Sequence, residues 1–161
     1  LIPELQRTVL REVVDGAVAQ CKPLDIFAGM RVVVAVDDGI ELAVDTQRIG
    51  EVFVNLLRNA AEACGGTGQV EIAATAVADG VRIDVADDGP GVPEGIRAEI
   101  FRPFRSSKEY GTGIGLAFSR KIIEAHGGSI DLVPRERGAC FRIELPAAAT
   151  SISDVGAAPV E

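Results

Sequence analysis

The sequence predicts an α/β protein: a two-layer sandwich in which a mixed, mostly antiparallel sheet carries helices on one face. Three observations lead there. The 161 residues suit about one domain with a real core. Helical and strand-like hydrophobic patterns alternate along the chain. Several neighbouring strands are separated only by tight turns, so they pair as hairpins, which argues against a doubly wound parallel sheet.

The elements follow in order. Residues 5–20 place Leu5, Val9, Leu10, Val13, Val14, Ala17 and Val18 at helical spacing, and Pro23 and Gly29 break the pattern. The β-branched run 31–36, the turn signal Asp37-Asp38-Gly39 and the return strand 41–44 predict a hairpin. Asp45 or Thr46 can cap a second helix, which runs to about Cys64 and is stopped by Gly65-Gly66. Residues 69–78 and 81–86 read as strands joined by the Asp79-Gly80 turn. A Gly/Pro-rich loop, 87–93, leads to a short helix ending at Ile100, and 101–112 reads as a loop. A third helix, 113–125, is stopped by Gly127-Gly128, and strands 129–133 and 139–145 complete a domain expected over residues 1–146. Residues 147–161 have little to bury and are expected to be a disordered tail.

Composition narrows the function. The net charge of −8 argues against nucleic acid as a partner, because phosphate backbones require a basic surface. An anionic ligand would need local cations, backbone N–H groups and a metal ion. Cys21, Cys64 and Cys140 form no C-x-x-C pair, so neither a disulfide framework nor a zinc site is expected, and a cytoplasmic setting is the default. The longest strongly apolar run, 32–36, is too short to span a bilayer. The chain starts at Leu1 rather than Met, which reads as a piece of a longer protein. A membrane anchor elsewhere in that protein stays open.

Three segments carry candidate chemistry. On the second helix, Ile49, Val52, Phe53, Leu56, Leu57 and Ala60 form a core stripe, and Glu51, Asn55, Asn59 and Glu62 share the opposite face. Two asparagines one turn apart offer neutral oxygens to a hard cation such as Mg²⁺, or hydrogen bonds to phosphate. A plain solvated face would look the same. In the loop 87–92, Gly89 and Gly91 permit close approach of the backbone to a flat ligand, and Asp87 at a strand end can accept a hydrogen bond from the amine of adenine. Asp-Gly and Pro-Gly are also ordinary turn dipeptides. Further on, Phe101 and Phe104 sit on a loop, Ser106-Ser107-Lys108 supplies hydroxyls and a cation, and Gly111-Thr112-Gly113-Ile114-Gly115-Leu116 opens a helix whose N–H groups suit phosphate. The Rossmann pattern fails because Leu116 stands where glycine belongs, and no Gly-Lys pair exists for a P-loop.

Taken in order, these segments resemble the ATPase domain of two-component sensor histidine kinases. Asn55 to Asn59 resembles the N box, Asp87-x-Gly-x-Gly the first glycine box, Phe101-x-Pro-Phe104-x-Ser-Ser-Lys108 the F box, and 111–116 the second glycine box. The closing Gly138-x-x-Phe141-x-Ile-x-Leu-Pro146 also fits. The resemblance implies the Bergerat fold, shared with gyrase, ninety-kilodalton heat-shock chaperones and mismatch-repair ATPases, and the cofactors ATP and Mg²⁺. It implies that Asp87 recognises adenine, that Asn59 is the metal ligand, and that Asn55 and Lys108 are the catalytic residues at the phosphates. Gly89, Gly91, Phe101, Gly111, Thr112, Gly113, Ile114, Gly115 and Leu116 would complete the nucleotide site. The form of the F box is similar to that of nitrogen-regulatory and dicarboxylate sensors.

Two departures matter. Hydrolytic relatives place Glu as general base four residues before the metal-binding Asn; this chain has Asn55, and an amide cannot take that proton. Many histidine kinases carry Lys three residues after that Asn, where Glu62 stands, and whether Arg58 replaces it stays open. The only histidine, His126, sits at a helix end and reads as structural rather than as a phosphoacceptor. The acceptor would therefore lie on a separate dimerisation domain, and a response-regulator receiver would be the downstream partner. The chain is expected to bind ATP or ADP as a monomer, within a homodimeric kinase. A nucleotide-binding module without kinase activity and an anti-sigma serine kinase are the competing readings. Complete motifs weigh against the first, and Asn55 with the Phe-x-Pro-Phe segment against the second.

Overall fold

Alternation along β5 (Gly80–Asp87) sets the two sides of the sheet: Val81, Ile83 and Val85 turn into the core while Arg82 and Asp84 turn away. The computed structural model describes residues 2–103 and 115–146. Five strands pair in the order β2-β4-β5-β7-β6, where β2 is Gly29–Ala35, β4 Thr67–Val77, β6 Ser129–Val133 and β7 Cys140–Pro146. Only β2 and β4 are parallel; the other neighbours run antiparallel. The inner row is in register, with Ile72 opposite Val85, Val85 opposite Phe141, and Ile143 between Ile83 and Ile130. On the outer row Arg82 faces Glu144 and Asp84 faces Arg142 in hydrogen-bonded ion pairs, which marks that surface as solvated.

Among the described residues, three helices cover the inner row. In α2 (Thr46–Ala63), the predicted stripe of Ile49, Val52, Phe53, Leu56, Leu57 and Ala60 is buried against β4 and β5. α1 (Leu10–Cys21) packs on α2, and α3 (Gly115–Ala125) packs on α2 and β6 through Leu116, Ile122 and Ile123. All these side chains join one apolar cluster. A short 3-10 turn, Glu94–Glu99, follows the loop after β5. The expected helix start at Gly113 and the expected tail, 147–161, lie outside the described residues.

Two sequence expectations are overturned. Residues 6–9 are not helical: β1 (Gln6–Val9) pairs antiparallel with β3 (Glu41–Val44), and the helix begins only at Leu10. Leu5 and Val9 matched the helical period by coincidence; Leu5 stays exposed, and the backbone of β3 takes β1 as its partner. Nor is 31–44 a hairpin. The turn forms, with Gly39 N–H donating to Asp37 Oδ1 at 2.8 Å, but β2 then joins β4 while β3 joins β1 in a separate two-stranded sheet. A turn signal fixes a change of direction, not the pairing of its flanks.

Asp45 ties the helical layer together. Of the two candidate caps, Asp45 or Thr46, it is Asp45 that caps α2, with Oδ1 accepting from Arg48 N–H at 3.2 Å, and Oδ2 accepts from Glu4 N–H at 3.0 Å. Its own N–H donates to His126 Nε2 at 3.0 Å, and His126 Nδ1 bonds the Ile122 carbonyl at 2.8 Å. A carbonyl only accepts, so the ring is neutral with its proton on Nδ1. The Glu4 N–H, with smaller help from the Arg48 N–H and charge, holds the Asp45 carboxyl below the usual aspartate range. Such a lowered group stabilises the fold above its unfolded pKa, and that contribution is lost as pH falls through the folded value. Asp45→Ala is therefore expected to lose about 1–2 kcal/mol in urea denaturation at pH 7. The loss should begin to shrink below about pH 4, where the unfolded chain takes up the proton, and vanish only below the lowered folded value; equal losses at pH 7 and about pH 2 would refute this account.

Candidate functional site

Asp87 continues the inward row of Val81, Ile83 and Val85, so strand geometry places a carboxylate on the core side of the sheet. It is only 3% exposed. Burial raises its pKa, and the N–H groups of Gly89 and Ala139 oppose that rise by bonding Oδ1 at 2.9 and 3.3 Å. The main chain is held as well, with Asp87 N–H donating to the Ala139 carbonyl at 2.9 Å. Oδ2 accepts no hydrogen bond from the described residues, which leaves its lone pairs for an incoming donor.

The loop beyond Asp87 is anchored at Asp88. Its Oδ1 accepts from Gln69 N–H at 2.9 Å and from the Cys64 thiol at 3.7 Å, and its N–H donates to the Gln69 carbonyl at 3.2 Å. The Gln69 N–H, first among the causes, keeps this carboxyl below the usual range. Burial and the two aspartates push the Cys64 thiol up to about 11, so it remains a protonated donor. Gly138 is the closest packing point. Its φ is +80°, and a Cβ there would collide with the Asp87 carbonyl oxygen. Gly91, at φ +81°, in turn packs its Cα on the Gly138 carbonyl, 3.0 Å from where a Cβ would lie.

On α2, the two asparagines differ in surroundings. Asn59 is not on a solvated face: it is 7% exposed, and its amide makes no hydrogen bond among the described residues. Asn55 is half-buried, and its Nδ2 donates to Ser119 Oγ of α3 at 3.3 Å, beside Gly115. The helix end also meets the Asp87 loop, since a Cβ on Gly89 would lie 3.3 Å from the Ala63 carbonyl. Arg58 is exposed, and its charge is felt by the Cys21 thiol of α1.

Phe101 packs edge-on to Phe141, 6.0 Å between centroids, beneath the Arg120 guanidinium at 5.2 Å. Leu116 is buried in the core and Gly115 lies beside Asn55. Lys108, Gly111, Thr112, Gly113 and Ile114 lie outside the described residues. A cleft of about 630 Å³ is lined by Cys64, Gly89, Gly91 and Gly138 among others, but not by Asp87, Asn55 or Asn59. Sequence reasoning missed Ser119 and Ala139, which are remote in sequence and carry no motif of their own. Among the described residues, no cluster of three His, Cys, Asp or Glu side chains is arranged to hold a metal.

A family profile described as histidine kinase-, DNA gyrase B- and HSP90-like ATPase matches residues 44–149. The C4-dicarboxylate transport sensor protein DctB of Rhizobium meliloti is 36% identical over 143 residues, covering 86% of this chain and 23% of that protein. The chain thus spans about a quarter of that relative's length. Among solved structures, the catalytic domain of histidine kinase ThkA superposes with a TM-score of 0.81 at 32% identity, covering 89% of this chain and 95% of that one. The same kinase in complex with response regulator protein TrrA superposes with a TM-score of 0.76 at 31% identity, covering 89% of this chain and 42% of that one.

Gly138→Ala forces both a disfavoured φ and a collision with the strand that carries Asp87. It is expected to lose about 2 kcal/mol or more in denaturant unfolding. Gly95→Ala, with nothing within 4 Å of its added methyl, should change stability little and serves as the comparison.

Proposed function

The chain belongs to the family of histidine kinase-, DNA gyrase B- and HSP90-like ATPases, and from that premise we propose that it binds ATP with Mg²⁺ and presents the γ-phosphate to a histidine on a separate dimerisation domain. The observation that carries the reading is Asp87: a buried carboxylate, fixed through one oxygen and open at the other. That arrangement accepts the exocyclic amine of adenine and disfavours the carbonyl that guanine has there.

The asparagines fit the rest of the nucleotide. A nearly buried amide with no partner among the described residues suits Asn59 as an oxygen ligand to Mg²⁺, whose remaining positions would be filled by water and phosphate oxygens. The metal would neutralise charge on the phosphates. Asn55 keeps Oδ1 free of bonds to described residues, and Ser119 orients its amide towards the N-terminal turn of α3. No carboxylate stands at position 55 to take a proton from water, so phosphoryl transfer is directed to an acceptor side chain rather than to solvent. Lys108 and the glycines 111 and 113 are assigned to the phosphates on sequence alone. Residues 1–146 form the catalytic unit of this reading, in the cytoplasm, with a response-regulator receiver as the downstream partner of the whole kinase.

Calorimetric titration with ADP and Mg²⁺ tests the adenine site. Asp87→Asn is expected to weaken binding about 10- to 100-fold, the loss of one charged hydrogen bond. The unliganded variant should be no less stable than the parent, because it no longer buries a charge. Unimpaired ADP binding by the variant would remove Asp87 from the site, and no binding by the parent would favour a module that has lost nucleotide recognition.

A further inference from the structure

The 630 Å³ cleft beside the adenine loop is not explained by the nucleotide site. Three guanidinium groups line it: Arg97 from the 3-10 turn, and Arg135 and Arg137 from the connection between β6 and β7. Each is oriented by a carbonyl. Arg97 Nε donates to Val92 O at 3.1 Å, Arg137 Nε to Asp88 O at 3.2 Å, and Arg135 Nε to Arg137 O at 2.5 Å.

Most other described arginines are paired with carboxylates, Arg31 and Arg58 being the further exceptions. Elsewhere in this acidic chain, Arg7, Arg11, Arg82, Arg120 and Arg142 each sit beside a carboxylate. Arg97, Arg135 and Arg137 form no ion pair among the described residues, although Asp88 and Glu136 also line the cleft. Asp88 does not compete for them through Oδ1, which is bonded to Gln69 N–H and to Cys64. Bonding through Nε leaves the terminal nitrogens of each arginine as donors, the geometry that suits a tetrahedral oxyanion. The cleft's volume is that of a small-molecule site.

We propose that this cleft binds a small phosphate-bearing ligand between Arg97, Arg135 and Arg137, and that its occupancy stiffens the loop 88–92 and so tightens nucleotide binding. Arg97 holds the far end of that loop at Val92, and Arg137 holds the near end at Asp88. An anion drawing the two guanidinium groups together therefore clamps both ends. The fields of Arg135 and Arg137 already reach the carboxylates of Asp87 and Asp88. The binding site stands by itself; the coupling rests on the adenine reading of Asp87.

The test uses the 161-residue chain at constant ionic strength. ADP is first titrated without phosphate, which reports on the adenine reading alone. Inorganic phosphate is then titrated into the chain saturated with ADP and Mg²⁺, so that the nucleotide's own phosphate positions are filled, while backbone amide NMR shifts are recorded. Saturable shifts confined to residues 88–92 and 135–138 are expected, with an affinity at least about fivefold weaker in Arg135→Gln and in Arg97→Gln. Saturating phosphate should tighten ADP binding about threefold in the parent and not in the variants, with the reciprocal effect of ADP on phosphate. A parallel titration with glycerol 2-phosphate separates a free-phosphate site from one for phosphate esters, by which of the two binds more tightly. Shifts that rise without saturation, spread to unrelated basic positions such as Lys22 and Arg31, or persist in both variants would overturn the proposal. Saturable phosphate binding in a chain that does not bind ADP would leave the anion site standing and remove the coupling.

Discussion

A carboxylate occupying a core-facing strand position is the constraint on which the candidate site depends. Period-two alternation on β5 delivers Asp87 to the side of the sheet where Val81, Ile83 and Val85 make the core. Its desolvation is only partly offset by two N–H groups, and its pKa is raised accordingly. The surrounding structure is arranged around keeping it there. Ala139, just before β7, supplies one backbone bond and one bond to the side chain, Gly138 leaves room for the Asp87 carbonyl, and Asp88 fastens the next residue to β4 and to the end of α2. A buried charge kept at a stability cost, with one oxygen left open, is more readily explained by a ligand than by the fold.

Much of this was legible in the sequence because it rests on local pattern. The stripe on α2, the β4–β5 hairpin, a cap at Asp45 or Thr46 and the place of Asp87 at a strand end all follow from period, turn chemistry and cap preference. What the sequence concealed depends on pairing between distant segments. β1 was read as helix because its apolar spacing extends that of α1, and only its partner, more than thirty residues away, makes it a strand. The Asp37-Asp38-Gly39 turn was visible, but not that its flanking strands enter different sheets. The bond from Asp45 to His126 spans 81 positions and that from Ala139 to Asp87 spans 52, with no motif to announce either.

The asparagines show the same boundary from another side. Their spacing was consistent with a polar face left to solvent and with a ligand-binding face, and burial separates the two. Asn59, 7% exposed and without a hydrogen-bond partner among the described residues, is not a solvated surface residue. Its amide atoms still reach solvent through that small opening, where a metal or phosphate can meet them. Asn55, by contrast, is held by Ser119, so α3 fixes its orientation before any ligand arrives.

Electrostatics explains why the site is built this way. The chain carries a net charge of −8 and its proposed ligand is itself strongly anionic, so the long-range field opposes binding. Among the described residues, neutral amides and glycine-lined backbone stand where a nucleic-acid-binding protein would place cations, and most arginines are matched by neighbouring carboxylates. Binding then rests on short-range groups aimed at particular atoms and on the metal that accompanies the phosphates. A site of this kind discriminates by geometry rather than by charge, and its affinity depends on how rigidly the loop behind Asp87 is held. That dependence gives the carbonyl-anchored arginines behind the loop their physical interest. All three line the cleft beside that loop, and two of them hold its ends, at Val92 and at Asp88.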